Sequence, residues 1–394
     1  MKIAMIGQKG MPAIYGGVER HVEELSKRLV KLGHEVYAYT RPYYSVRGQK
    51  KYQEVNLVSL PSVHTKHLDA ISHTFFATIH ALFQDYDIIH YHAVGPSLLS
   101  WIPRIFKPGA KVISTFHCID RKHQKWGWFA RLSLRLGELA ALKFAHKTIT
   151  VSKTLQQYCR EAYDRDTEYI PNGINRTEII QTDSDIQELF NLEKDSYILA
   201  VSRLVKHKGL HYLIKAYRQL NTDKKLVIVG DSAFTDDYVK GLKSLASGNS
   251  NIIFTGWQSG KILDELFSNA YLFVHPSESE GLPLVILEAM SFANCVLASD
   301  IPENLEVIET RNQAYGFSFK NKEINDLRKQ LQYLIDTPEE VKKIGGLARE
   351  YVVENYNWLG IAEQTDSLYE ETVKQPAAVS KLKTALKGIR FFHW

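Results

Sequence analysis

The stretch Glu280-Gly281-Leu282-Pro283-Leu284-Val285-Ile286-Leu287-Glu288 sets two carboxylates around a glycine, a proline and an apolar run. An apolar segment ending at His275 reads as a strand, and Pro283 stands where a first helical residue is expected. A helix starting there leaves backbone N–H groups free beside Gly281, and such groups attract an anion such as a diphosphate. At ~1.5 Å rise per residue, Glu280 at the helix mouth and Glu288 inside it stand on the order of 8–12 Å apart. That is too wide for the acid and nucleophile of a retaining glycosidase, which lie about 5–5.5 Å apart. It suits an extended ligand with hydroxyls at both ends and phosphates between them, the shape of a nucleotide sugar. The bland alternative makes Glu280 a helix cap and Glu288 a solvated position. Against it, Glu288 sits among Val285, Ile286, Leu287, Ala289 and Met290, where an exposed acid is unexpected.

A second strand-to-helix junction, Val201-Ser202-Arg203-Leu204-Val205-Lys206-His207-Lys208-Gly209, carries cations. Arg203 can fork onto phosphate oxygens and Lys208 adds a compact charge, although a solvated basic loop would look the same. The first loop, Gly7 to Gly17, fits neither GxGxxG nor a Walker GxxxxGK[ST], so dinucleotide oxidoreductase and P-loop readings lack their motifs. Gly16 and Gly17 could still bring backbone amides to a phosphate or sugar, or could form a plain turn. His117 ends an apolar run at a cleft edge, and Cys118 has no metal-ligand companion. Asp164-Arg165-Asp166 and Asp183-Ser184-Asp185 match a metal-binding Asp-x-Asp string, but neither follows an apolar strand. No metal site and no cofactor are expected; Arg203, Lys208 and a helix N-terminus could neutralise a departing diphosphate instead.

The elements that must position these residues repeat along the chain as short apolar runs, polar turns and segments of helical period. Strands are expected at Ile3–Ile6, Glu35–Thr40, Asp87–His92, Lys111–Phe116 and Lys147–Val151, with helices over Val18–Leu32 and 128–146. After the polar stretch Asn172–Ser196 a second series follows, at Tyr197–Val201, Lys225–Val229, Asn251–Phe254, Tyr271–His275 and Val296–Ala298. Alternating strands and helices imply parallel sheets with covered faces. The polar break favours two doubly wound α/β domains over one eight-unit barrel. Ligands then bind outside the carboxyl ends of the strands, in the cleft between the domains.

Composition narrows the class further. The 394 residues are 44% hydrophobic and 24% charged, which excludes disordered and fibrous chains. A net charge of +5 is too small to announce a nucleic-acid partner. Three distant cysteines form no disulfide framework, which fits a reducing, cytoplasmic compartment. The opening apolar run is too short for a signal-peptide core, and no stretch reaches the roughly 18 uncharged apolar residues of a membrane span.

The motifs together resemble the family 4 retaining glycosyltransferases of the GT-B fold, of the kind acting in cell-surface polysaccharide biosynthesis. The likeness covers nearly the whole chain. It is carried by Gly16-Gly17-Val18-Glu19, Thr115-Phe116-His117, Ile170-Pro171-Asn172-Gly173-Ile174, Ser202-Arg203-Leu204 with Lys208-Gly209, and Glu280-Gly281-Leu282-Pro283 with Glu288-Ala289. The resemblance implies an N-terminal acceptor domain over 1–178 and a nucleotide-sugar donor domain over 179–357. Residues 358–394 would supply a helix returning to the first domain, then a basic-aromatic tail. By the same resemblance, Arg203 and Lys208 bind the donor diphosphate, Glu280 holds hydroxyls of the transferred sugar, and Glu288 holds the ribose. Amides around Gly281, Leu282 and Leu284 support phosphate or sugar, Gly16 and Gly17 contact the donor from the first domain, and His117 sits by the sugar. Gly230 and Trp257 are candidates for the base pocket. A UDP-sugar is favoured, with a deoxythymidine donor open, and the acceptor is a glycan or lipid-linked sugar. No nucleophile–base pair is evident, which agrees with the front-face retaining mechanism usually proposed for such enzymes. An epimerase or phosphorylase on the same fold, and a non-catalytic nucleotide-sugar-binding protein, are the rival readings; no pyridoxal-lysine signature supports a phosphorylase.

Two segments mix cations with aromatics. Residues 121–147 hold Arg121, Lys122, Lys125, Arg131, Arg135, Lys143 and Lys147 against one acid, Glu138, with Trp126, Trp128 and Phe129 interleaved. The tail adds Lys381, Lys383, Lys387, Arg390, Phe391, Phe392 and Trp394. Such mixtures suit an anionic bilayer, here the inner face of the plasma membrane, or else a solvated face and a frayed end.

Overall fold

The computed structural model describes residues 1–375 apart from 15, 46–47, 66–67, 120, 122–126 and 233–234. The basic-aromatic tail, with Lys122, Lys125 and Trp126, therefore lies outside the described residues.

Two sheets are formed. The first contains β1 (Lys2–Ile6), β2 (Glu35–Thr40), β3 (Lys51–Tyr52), β4 (Val55–Ser59), β5 (Ile88–His92), β6 (Lys111–Phe116), β7 (Lys147–Thr150) and β8 (Glu168–Tyr169). Their spatial order is β3-β4-β2-β1-β5-β6-β7-β8. The second contains β9 (Tyr197–Val201), β10 (Lys225–Val229), β11 (Ile252–Gly256), β12 (Leu272–His275), β13 (Val296–Ser299) and β14 (Phe317–Phe319), ordered β11-β10-β9-β12-β13-β14. All pairings are parallel except the β3–β4 hairpin.

The continuous apolar runs of the sequence become central strands because helices cover both faces of each sheet. Ile3 and Met5 face one core with Val22, Leu25 and Leu29 of the helix Gly17–Lys31. Ala4 and Ile6 face another with Ala77 and Ala81 of the helix Asp69–Leu82. The helix Trp358–Lys374 adds Trp358, Ile361, Leu368 and Tyr369 to the first of these cores. Chain crossings between the halves meet at one point, where Ile174 N–H donates to the Tyr356 carbonyl at 2.6 Å.

Several expected boundaries shift by a residue or two, as helix and strand ends commonly do. Pro283 serves as the N-cap residue rather than the first helical one, and the helix runs Leu284–Ser291. The short edge strands β3, β8 and β14, and β4 beside β3, escape sequence reading. The β3–β4 turn uses Gln53 and Glu54, both at positive φ, where Asn-Gly would have been the legible signal. No helix among the described residues is long and apolar enough to cross a membrane.

Candidate functional site

Each sheet reverses its direction of growth once, between β1 and β5 in the first and between β9 and β12 in the second. Loops leaving adjacent strands at such a switch point part and open a crevice at their carboxyl ends. The loops after β9 and β12 carry Arg203, Lys208 and Glu280, and His275 ends β12.

These two loops are laced together. Glu278 N–H donates to the His207 carbonyl at 2.7 Å, and Ser277 Oγ to the same carbonyl at 3.2 Å. Gly209, at φ 70°, lies so close to the Pro276 carbonyl oxygen that a Cβ would stand 1.8 Å from it. This contact fixes Lys208, whose Nζ pairs with Glu280 Oε1. His275, 2% exposed at the end of β12, brings Nε2 to within 2.8 Å of the same oxygen. Burial alone would push the Glu280 carboxyl up. The Lys208 ammonium and the His275 hydrogen bond outweigh it and hold the group well below the usual carboxylate range.

Arg203 is exposed at the mouth of the crevice. It is near enough to Lys9, on the loop after β1, to add to the burial that lowers that ammonium. Cations from both domains therefore face one gap.

The first domain supplies the opposite wall. Gly16, at φ 107°, precedes the helix Gly17–Lys31 and has Glu19 Oε2 where a Cβ would be, at 2.0 Å. Glu19 and Glu23 turn back on the loop, accepting from Lys9 N–H at 3.1 Å and Ala13 N–H at 2.5 Å. Gly17 faces Leu284 Cδ1 across the cleft, where a Cβ would make ordinary contact at 3.5 Å. Gly281 approaches most closely: a Cβ there would meet the His117 carbonyl oxygen at 1.6 Å. The Leu282 carbonyl accepts from Asn172 Nδ2 at 2.9 Å.

Glu288 is largely, not fully, buried and pairs with Arg20 of the helix Gly17–Lys31. Burial pushes its carboxyl up, and Arg20 only partly opposes this. Sequence reasoning missed Arg20, although it directly follows the Gly16-Gly17-Val18-Glu19 motif. Gly230 and Trp257 stand at the ends of β10 and β11, one and two strands out from β9. Gly230, at φ 141°, lets the Ser202 carbonyl approach to 1.9 Å of a would-be Cβ, and Trp257 is 47% exposed.

Both Asp-x-Asp strings are engaged elsewhere: Asp166 with Arg160 at 2.8 Å, and Asp185 with Lys261 at 2.7 Å. Beneath Gly281, His117 joins His21 and His92 in a buried cluster that nothing in the sequence spacing announces. Burial lowers all three: His21 to about 4, and His92 and His117 well below the ordinary value.

Residues 15–178 match the family model of Family 4 glycosyltransferases, and residues 181–351 match that of group 1 glycosyl transferases. An uncharacterised glycosyltransferase of Methanocaldococcus jannaschii is 26% identical, covering 94% of this chain and 98% of its own. The O-antigen chain mannosyltransferase of Salmonella typhimurium is 27% identical over 56% of this chain and 61% of its own. The crystal structure of the Anabaena protein HepE in complex with UDP and glucose superposes with a TM-score of 0.79 at 21% identity, over 94% of this chain and 100% of that one. The switch-point clefts and these matches agree: the chain is a glycosyltransferase of family 4, group 1, with the two-domain GT-B fold.

Proposed function

We propose that the enzyme transfers a sugar, with retention of anomeric configuration, from a nucleotide diphosphate sugar to a glycan or lipid-linked acceptor of the cell envelope. The observation that carries this reading is the Lys208–Glu280–His275 arrangement at the β9/β12 switch point, faced by Arg203. Lys208 and Arg203 bind the diphosphate and stabilise the charge that collects on it as the glycosidic bond breaks. Glu280 stays ionised at neutral pH, accepts hydrogen bonds from hydroxyls of the transferred sugar, and fixes Lys208. Glu288 takes the ribose hydroxyls. Gly230 and Trp257 border the base. His117 and the Gly16-Gly17 turn close over the sugar from the first domain. Catalysis is then positioning and charge stabilisation, with the leaving phosphate accepting the acceptor's proton and no residue forming a covalent intermediate.

A UDP-sugar is the favoured donor; the complex of HepE with UDP and glucose supports it, and the mannosyltransferase relative supports an envelope glycan as acceptor. A thermal-shift screen of UDP-, GDP-, ADP- and dTDP-sugars tests the donor. Proton NMR of the first product tests retention, and an inverted anomeric coupling refutes it.

The acceptor side faces a membrane in this reading. The helix Trp128–Phe144 exposes Trp128 (78%) and Phe129 (77%), then Leu132, Leu136 and Leu139 along one side. Arg131, Arg135 and Lys143 are exposed with them. Glu138, the single acid of this helix, is fully buried against Arg121 at 3.2 Å and Tyr158 at 2.8 Å. The outward face is thus apolar and cationic without an acid. Trp101, Ile105 and Phe106 of the adjoining helix Trp101–Phe106 extend it. Such a face attracts anionic lipid and buries aromatic rings at the headgroup level. Co-sedimentation with anionic but not neutral vesicles is expected; equal binding to both, or to neither, contradicts it.

A further inference from the structure

The cluster beneath the cleft has the construction of a transition-metal site. His21 comes from the helix Gly17–Lys31, His92 ends β5 and His117 follows β6. Their exposures are 3%, 0% and 7%. One nitrogen from each ring lies within 4.8 Å of the others, and His92 Nδ1 and His117 Nε2 are already 3.3 Å apart. A tetrahedral ion with about 2.0–2.1 Å metal–nitrogen bonds places its imidazole nitrogens ~3.3 Å apart and its ring centres about 5 Å apart. The three ring centres here stand 4.8, 5.6 and 5.6 Å from one another.

The outer hydrogen bonds leave His21 and His92 unprotonated on the inner side, with a single proton there to displace. Asn172 is oriented by its Nδ2 donation to the Leu282 carbonyl, so its Oδ1 accepts from His21 Nδ1–H at 2.9 Å. His21 Nε2 is then unprotonated. His92 Nε2 lies 3.3 Å from the Met5 thioether, a weak acceptor, which leaves His92 Nδ1 unprotonated as well. His117 carries the one proton between them and can move it to its outer nitrogen. An amide oxygen behind a ligating imidazole is the usual support of such sites, because it fixes the tautomer and the ring plane.

We propose that His21, His92 and His117 bind one first-row divalent ion of the kind that prefers imidazole, Zn2+ or Co2+, with a fourth position left for water or an anion. The site lies in the first domain and none of its ligands is a carboxylate, which disfavours Mg2+ and Ca2+. Its consequence for transfer rests on the function proposed above: an ion on His117 occupies the sugar's side of the cleft and inhibits competitively with the donor. Metal binding itself is independent of that reading.

The test titrates Co2+ into chelator-treated full-length protein and follows the visible absorption of a tetrahedral cobalt centre, with Zn2+ displacing it. One equivalent per chain is expected, abolished in His21→Gln and in His117→Gln, while the exposed His64→Ala leaves the stoichiometry unchanged. Far-ultraviolet circular dichroism checks that each variant is folded. Should His92→Gln unfold, the other two variants still decide. Absence of the tetrahedral spectrum in the wild type, or its persistence in both variants, overturns the site. Zn2+ binding without inhibition overturns only its consequence for transfer.

Discussion

Replacing Gly281 by alanine isolates the closed cleft from everything else in the fold. Gly281 is not among the residues at positive φ, so alanine can adopt its backbone conformation within the second domain. The obstacle is entirely across the cleft. The new Cβ would lie 1.6 Å from the His117 carbonyl oxygen and 2.8 Å from its carbonyl carbon, both backbone atoms that cannot rotate away. Restoring a contact of about 3 Å requires the two walls to part by roughly 1.5 Å, a distance that no tightly packed interior absorbs locally. A misplacement of about 1 Å at a reacting centre can cost around a hundredfold, or about 2.7 kcal/mol of transition-state stabilisation. Gly281→Ala is therefore expected to unfold near the wild-type temperature but to lose on the order of 10²-fold in kcat/KM. Initial rates with a saturating acceptor and varied nucleotide sugar measure the loss. Small-angle scattering with donor present should show the variant more open than the wild type. A variant with wild-type kcat/KM and wild-type closure would refute the claim that transfer takes place with Gly281 against His117.

Three other expectations follow from the same geometry. Glu288 has a raised carboxyl pKa, so its ionised form costs folded-state stability above that pKa, and the cost vanishes as pH falls toward the ordinary 4.5. Glu288→Gln should then melt at or above the wild-type temperature at pH 7–8, converge with it below about pH 4.5, and show a smaller donor-induced thermal shift. A lower melting temperature at pH 8 than at pH 4.5, relative to wild type, would contradict this. Glu138→Ala leaves Arg121, Tyr158 and Tyr163 without their shared carboxylate. Arg121 is one-third exposed and can be solvated, so the loss is that of the buried hydrogen bonds, about 1–3 kcal/mol in urea unfolding; a change under about 0.5 kcal/mol would show that the buried carboxylate matters little. Trp128→Ser with Phe129→Ser should cut sedimentation with anionic vesicles at least severalfold, whereas unchanged binding would move the membrane contact elsewhere.

The chemistry-bearing loops were legible because each sits where an apolar strand meets a helix start, a pattern of residue type and period. Arg203, Lys208, Glu280 and Glu288 could all be picked out on that basis. What the sequence concealed is what only tertiary approach creates. Arg20 lies on a helix face like any surface arginine until Glu288 arrives from the other domain. His21, His92 and His117 are separated by whole βα units, and only the parallel order β1-β5-β6 brings the carboxyl ends of their strands together. Gly281 read as a donor of backbone amides, whereas its contact with His117 shows an equally strong need for the missing side chain. The edge strands were hidden for a different reason. They are two or three residues long and largely half exposed, too short to show a periodicity, and the β3–β4 turn has an unremarkable composition.

The central claim is that the Lys208 ammonium, held by Glu280, stabilises the departing diphosphate. Single-turnover transfer by Lys208→Met at saturating nucleotide sugar tests it most directly, since saturation removes any effect on ground-state binding. A fall of about 10²–10³-fold in the rate of the chemical step is predicted, the loss typical of a single preorganised charge-stabilising group. A rate within a factor of about two of the wild type would contradict it.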